Sequence, residues 1–247
     1  MRRLLAAFAV IAAVSVAAGN AWAQSFTPAQ RLEIVQILRE ALKSDPSLLR
    51  DAVAAMESDQ AQQSEAAARA AIGALGPALT QREGDPVAGN PRGKVTVVEF
   101  YDVRCPYCRR MLPTIASLLA QDPDVRVVYK DMPVLGAASV LGAKALLAAQ
   151  RQGGYQKLHD ALMAGATDIT EASLKSFSQR LGLDWTKLRA DMDSPDVQSR
   201  IAFNLGLAQR LDLQGTPAYV IGAKLLPGAV DLADLQAAVA AARKQGG

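Results

Sequence analysis

Apolar residues along this chain follow three different spacings, and each spacing predicts a different kind of element. From Leu4 to Ala18 they are continuous but for one serine, after Met1-Arg2-Arg3 and before Ala21-Trp22-Ala23. A basic start, an apolar middle and a small-x-small end form a secretory leader, with cleavage expected after Ala23. The run falls short of the ~20 residues that a membrane-spanning helix needs, so an uncleaved anchor is the lesser reading.

Helical spacing takes over next. Thr27-Pro28-Ala29-Gln30 offers an N-cap, a proline at the first helical position and a glutamine able to close a capping box, and Ile34, Ile37, Leu38 and Leu42 then recur on one face. Asp45-Pro46 repeats the start signal, and Leu48, Leu49, Ala52, Val53 and Met56 carry a second stripe into a Gln-, Glu- and Ala-rich run over 57–72. The stripe fades after Met56, and no third element is expected before the breakers Gly84-Asp85-Pro86 and Gly89-Asn90-Pro91. Two helices bury little by themselves. Residues 24–86 are therefore expected to be a helical arm whose simplest partner is another copy of the chain, the alternatives being an arm folded back on its own domain or a solvated linker.

Strand spacing begins at Val95-Thr96-Val97-Val98-Glu99-Phe100-Tyr101, a β-branched and aromatic run suited to a covered sheet. A helical stretch from about Cys105 to Leu119 and a second strand at Val125-Arg126-Val127-Val128-Tyr129 complete a strand-helix-strand unit, whose product is a parallel pair. Residues 137–210 are rich in alanine and leucine at helical spacing and predict a helical insertion. The sheet resumes at Ala218-Tyr219-Val220-Ile221, turns at Gly222-Ala223-Lys224, continues through Leu225-Leu226, and a last helix covers about Leu232 to Arg243. The fold class is α/β, with residues 87–247 as the second domain.

Charge excludes more than it suggests. The 27 Lys and Arg, less Arg2 and Arg3 of the leader, nearly balance the 24 Asp and Glu, with no basic block, so neither nucleic acid nor an acidic lipid surface is an expected partner. Only two cysteines and one histidine occur, and both cysteines fall within Cys105-Pro106-Tyr107-Cys108. A strand-to-helix junction puts the Cys105 sulfur near the first amides of the helix, where the positive end of the dipole favours thiolate, the attacking species in disulfide exchange. Cys108, one turn on, would be the resolving thiol, and Pro106 suits the first helical turn. A purely stabilising disulfide gains only roughly 2 kcal/mol from a four-residue ring, against about 4.7 for a 100-residue loop. Structural zinc lacks its third and fourth ligands, since His159 is about fifty residues away on a helix and reads as a packing or surface residue. Two soft thiolates suit Cu(I), so a copper-protection protein stays a competitor; no cofactor is otherwise expected. Glu99 shares the alternating face of Val95, Val97 and Tyr101, and if that face is core, its carboxyl lies beneath the cysteines with a raised pKa and suits a proton acceptor for Cys108. At a sheet edge it would merely point to water.

A Glu six positions before a C-x-x-C, a helical insertion and a late Gly215-Thr216-Pro217 resemble the thiol:disulfide oxidoreductases of the DsbA type, over roughly residues 87–247. Lys130-Asp131-Met132-Pro133-Val134-Leu135-Gly136, the stretch Gly215 to Gly222 and the N-terminal arm are similar to the suppressor-of-copper-sensitivity C (ScsC) type within that family. The resemblance implies a thioredoxin fold, a cis Pro217 facing the cysteine pair, Cys105 as nucleophile, Cys108 as resolving thiol and Glu99 as buried acid. It also implies that Pro106, Tyr107, Thr216 and Pro217 contact substrate, with the Thr216 backbone open to pair with an extended segment. Expected partners are protein thiols or disulfides, a membrane protein that recycles the pair, and further copies of the chain. The expected location is the periplasm. Tyr107 stands where the most oxidising members of the family carry histidine, which shifts the expectation from strong oxidase toward isomerase or reductase. A monomeric oxidase is the alternative.

Overall fold

Residues 26–165 and 168–245 are described in the structure, a computed structural model; the leader over residues 1–23 lies outside them. Among the described residues no helix is long and apolar enough to cross a membrane. Contacts divide the chain into two compact units, residues 1–60 and 61–247.

In the first unit, helix α1 (Pro28–Ser44) starts as its sequence predicts. The Thr27 side chain accepts from the Gln30 amide, and the Gln30 side chain accepts from the Thr27 amide, which closes the capping box. No residue of α1 is buried. Helix α2 (Ser47–Thr80) follows, and its apolar residues up to Met56 are as exposed as those of α1. Leu32, Ile37, Leu38, Leu49 and Met56 each leave more than half their surface open.

The second unit differs from expectation at its start. The apolar stripe returns beyond the Gln-rich run, and Ile72, Leu75 and Leu79 of α2 are buried. The expected arm reached residue 86, but the helix from Ala61 onward packs as part of the sheet-bearing unit. Alanines at 66–68, 70 and 71 thinned the hydrophobic signal without interrupting the helix. The Gly84–Pro91 breakers also enclose a short strand, β1 (Val87–Gly89). After it come β2 (Val95–Tyr101), α3 (Pro106–Gln121) and β3 (Val125–Asp131), then five helices of the insertion: α4 (Ala137–Gln150), α5 (Tyr155–Gly165), α6 (Glu171–Arg180), α7 (Trp185–Met192) and α8 (Pro195–Arg210). Strands β4 (Ala218–Ile221) and β5 (Lys224–Pro227) and helix α9 (Leu232–Gln245) complete the unit.

The five strands lie in the order β1-β3-β2-β4-β5. β2 and β3 are parallel, as the strand-helix-strand pattern requires, and the other pairs are antiparallel. Central β2 serves two cores because successive side chains point to opposite faces. Val95, Val97 and Tyr101 enter one core with Met111, Ile115 and Leu118 of α3 and the inserted helices; Val98 and Phe100 enter the other with Ile72, Leu75 and Leu79. Each fully buried Leu or Ile contributes about 1.5–3 kcal/mol relative to its exposed state. Behind the second core, buried Lys130 pairs with Asp85 and donates to the carbonyl of Ala78 at 3.2 Å, which ties the end of α2 to β3.

Candidate active site

The carboxyl end of β2 delivers the motif. Cys105 is the N-cap of α3 with extended backbone (φ −68°, ψ 120°), its side chain makes no capping bond, and Pro106 takes the first helical turn. The Cys105 Sγ–H instead donates to the carbonyl oxygen of Thr216 at 3.2 Å, across 111 residues of sequence. That bond brings the late Gly-Thr-Pro segment to the cysteine motif, and the Thr216-Pro217 peptide bond is cis. Both cysteines are free thiols. Cys108 is 1% exposed, and burial pushes its thiol well above the usual range. The charges of Cys105 and Glu99 add to that rise, while hydrogen bonds from the Asp102 backbone and the Thr216 side chain oppose it.

Glu99 does face the core, on the central strand rather than at an edge. Burial raises its carboxyl to about 8, against the opposing pull of a hydrogen bond that the Tyr219 hydroxyl donates to Oε1 at 3.1 Å. The register puts it between Tyr129 of β3 and Tyr219 of β4, and its charge helps hold both phenols protonated, after burial. Tyr107 is half exposed with the Arg110 guanidinium 4.3 Å over its ring, and Pro106 is exposed beside it. His159 is buried and packs against Tyr101, Tyr129 and Tyr155, so it falls on the packing side of its expected roles. Among the described residues no group of three or more His, Cys, Asp or Glu is placed to hold a metal ion.

Two acids escaped the sequence reading. Asp102 is buried and gathers the site's backbone: its Oδ1 accepts from the Arg104 amide at 2.8 Å, its Oδ2 from the amides of Val134 at 2.8 Å and Leu135 at 3.0 Å, and its carbonyl from the Cys105 amide at 2.9 Å. The Asp102-to-Arg104 bond is an Asx turn, a signal present in Asp-x-Arg-Cys but passed over. Asp131 is fully enclosed, accepts from the hydroxyls of Tyr101 (2.9 Å) and Tyr155 (3.0 Å), and is pushed by burial to about 7. Nothing local marks it, because its partners lie 30 and 24 residues away.

A thiol at a helix start, a second thiol buried one turn on and a buried acid on the preceding strand are an arrangement suited to thiol chemistry. Residues 96–240, more than half of the chain, match the DSBA-like thioredoxin domain. This chain belongs to that family. Among solved DsbA-like relatives, a thioredoxin-like oxidoreductase from Silicibacter pomeroyi is 43% identical, with a TM-score of 0.66 over 68% of this chain and 97% of its own. ScsC of Proteus mirabilis, in a transitional conformation, is 30% identical with a TM-score of 0.65, and the match takes in 90% of this chain and 98% of that one. The likeness to the ScsC type therefore holds in sequence and in fold. Curated relatives include the Na(+)/H(+) antiporter NhaA 3 of Salinispora tropica, 31% identical over 160 residues. That match takes in 64% of this chain and 24% of the antiporter, so the chain spans about a quarter of the length of such relatives. The thioredoxin fold with its helical insertion, and membership of the DSBA-like thioredoxin domain family, stand on these matches.

Proposed function

We propose that the chain is an exported enzyme, cleaved after Ala23, that exchanges disulfides with protein substrates in the periplasm and works as an isomerase or reductase. The observation that carries this is the Cys105 Sγ 3.2 Å from the Thr216 carbonyl, which sets the reactive sulfur against a strip of backbone where an extended substrate segment can pair. Cys105, as thiolate, attacks one sulfur of a substrate disulfide; a Cys105–substrate disulfide forms and the other substrate sulfur leaves as thiolate. Either that thiolate attacks a different substrate disulfide, and the thiolate released there attacks the substrate sulfur bound to Cys105, which isomerises the substrate and expels Cys105 as thiolate, or Cys108 attacks the Cys105 sulfur. In the second case the Cys108 proton passes to the Glu99 carboxylate, the substrate sulfur leaves reduced, and Cys105 and Cys108 are left as a disulfide. A membrane redox partner would return that pair to dithiol. Pro106, Tyr107, Thr216 and Pro217 form the substrate-facing rim.

Self-association through the arm over residues 24–86 is part of the proposal. Its support is the run of exposed apolar side chains from Phe26 to Met56, together with a likeness to ScsC that reaches 90% of the chain. The test is recovery of activity from a scrambled-disulfide ribonuclease. The mature protein is expected to restore it, and Cys105→Ser to lose at least about a hundredfold in rate, as removal of a covalent nucleophile should. Full activity in Cys105→Ser would refute the proposed role of that sulfur, and stoichiometric Cu(I) uptake with no exchange would turn the reading to copper capture.

A further inference from the structure

Three of the seven residues from Arg104 to Arg110 are arginine, and the segments that reach the motif bring no exposed acid to answer them. Residues 103–121, which lead into and form α3, hold no Asp or Glu. Nor do residues 132–136, fastened to Asp102, or residues 214–217, which carry the Thr216 carbonyl. The two acids just before the motif are buried. Burial pushes Glu99 up to about 8, and the Asp102 carboxylate is taken up by the amides of Arg104, Val134 and Leu135.

Arg104 and Arg110 are exposed, yet each guanidinium is held beside the motif. Nη1 of Arg104 donates to the Leu135 carbonyl at 2.9 Å. The Leu135 amide bonds in turn to the Asp102 carboxylate at 3.0 Å, and the Asp102 carbonyl accepts from the Cys105 amide at 2.9 Å. On the other flank, Arg110 lies 4.3 Å over the ring of Tyr107, between the two cysteines. Five positions along α3 separate Arg110 from Cys105, ~7.5 Å of helix rise, close to the ~8 Å Debye length at physiological salt. Among the described residues neither guanidinium meets a carboxylate, whereas Arg151, Arg189, Arg200 and Arg243 each do. The exposed charge around the reactive sulfur is therefore positive and uncompensated, and it is carried by the group whose planar fork fits a carboxylate.

We propose that Arg104 and Arg110 are specificity-determining residues that favour an extended protein substrate whose reacting cysteine is flanked by Asp or Glu, and disfavour one flanked by Lys or Arg. The inference rests on the thiol-exchange reading and adds the substrate class. An acidic flank meets a guanidinium as its cysteine sulfur meets Cys105. A basic flank meets like charge, which is the repulsive half of the selection. Because both guanidiniums are open to solvent, they act chiefly on encounter, and salt screens them.

The test uses two one-cysteine peptides, each capped by a disulfide to mercaptoethanol and alike except for Glu or Lys on both sides of the cysteine. Hydroxyethyl disulfide is the uncharged reference. Second-order rates with the reduced mature protein are divided by those with dithiothreitol, which removes the intrinsic reactivity of each disulfide. At about 0.01 M salt the Glu peptide is expected to react about fivefold faster than the Lys peptide, the size that one exposed ion pair supports. Near about 0.5 M that ratio should fall to about twofold or less. An Arg104→Gln, Arg110→Gln double variant should lose the preference at low salt, and Arg104→Lys with Arg110→Lys, which keeps the charge, should retain it. The salt series needs no substitution, so it decides the matter even where the Gln variant folds poorly. No preference in the parent protein, a preference that salt leaves unchanged, or one that survives both Gln substitutions overturns the proposal while leaving thiol exchange intact. Failure of the parent protein with all three disulfides overturns the thiol-exchange reading, and this proposal with it.

Discussion

Glu99 and Asp131 are carboxyls in apolar surroundings, raised to about 8 and about 7, and both effects run opposite to the usual stabilising carboxylate. The unfolded chain gives up these protons near pH 4, the folded one only at 7 to 8. Stability from both groups is therefore complete below about pH 4 and is lost as the pH climbs to 8. Thermal unfolding should show a midpoint that falls between pH 5 and pH 8. Glu99→Gln, which keeps an acceptor for the Tyr219 hydroxyl, should remove part of that fall and stabilise the protein at pH 8 by on the order of 2 kcal/mol. Kinetics should move the other way. Glu99 can accept the Cys108 proton only when ionised, so the rate at which Cys108 releases a bound substrate should rise about tenfold per unit up to pH 8 and then level, and Glu99→Gln should abolish the rise. A flat profile in the parent protein would remove Glu99 from the proton path.

At the scale of elements, period-two and period-3.6 patterns made β2, β3, α1 and α3 legible, and Cys-Pro-x-Cys located the site, because these signals are local. Two kinds of feature were not legible. The buried end of α2 was lost because Ile72, Leu75 and Leu79 are spaced among alanines that count as weakly apolar wherever they fall. Asp102 and Asp131 were lost because their worth comes from partners dozens of residues distant. The contrast along the helical arm can be measured. Leu75→Ala should cost about 2–5 kcal/mol in unfolding by denaturant, as a cavity in a packed core does, whereas Ile37→Ala, at an exposed position of α1, should stay within about 0.5 kcal/mol for an isolated chain. If self-association covers that face, Ile37→Ala will instead weaken assembly on dilution.

For the whole molecule, the division after Gln60 says where to cut. Removing residues 24–84 would strip Ile72, Leu75 and Leu79 from the second core, with the Ala78 carbonyl that accepts from Lys130; removing 24–60 leaves both cores whole. The shorter deletion should therefore keep the rate of glutathione exchange per cysteine pair, run as a monomer in light scattering, and lose most of its ability to recover scrambled ribonuclease. If the intact mature protein is itself monomeric at working concentration, the arm has another role and the isomerase reading loses its main support.

Central β2 has one last consequence. Covered on both faces and paired on both edges, its amides are the ones that only global opening can release to deuterated solvent, and Glu99 is among them. Cys105 and Thr216 lie just off that strand and its neighbour, in loops whose breathing is a separate event. Turnover and unfolding thus draw on different motions, so a partner or additive can quicken one and leave the other's clock untouched.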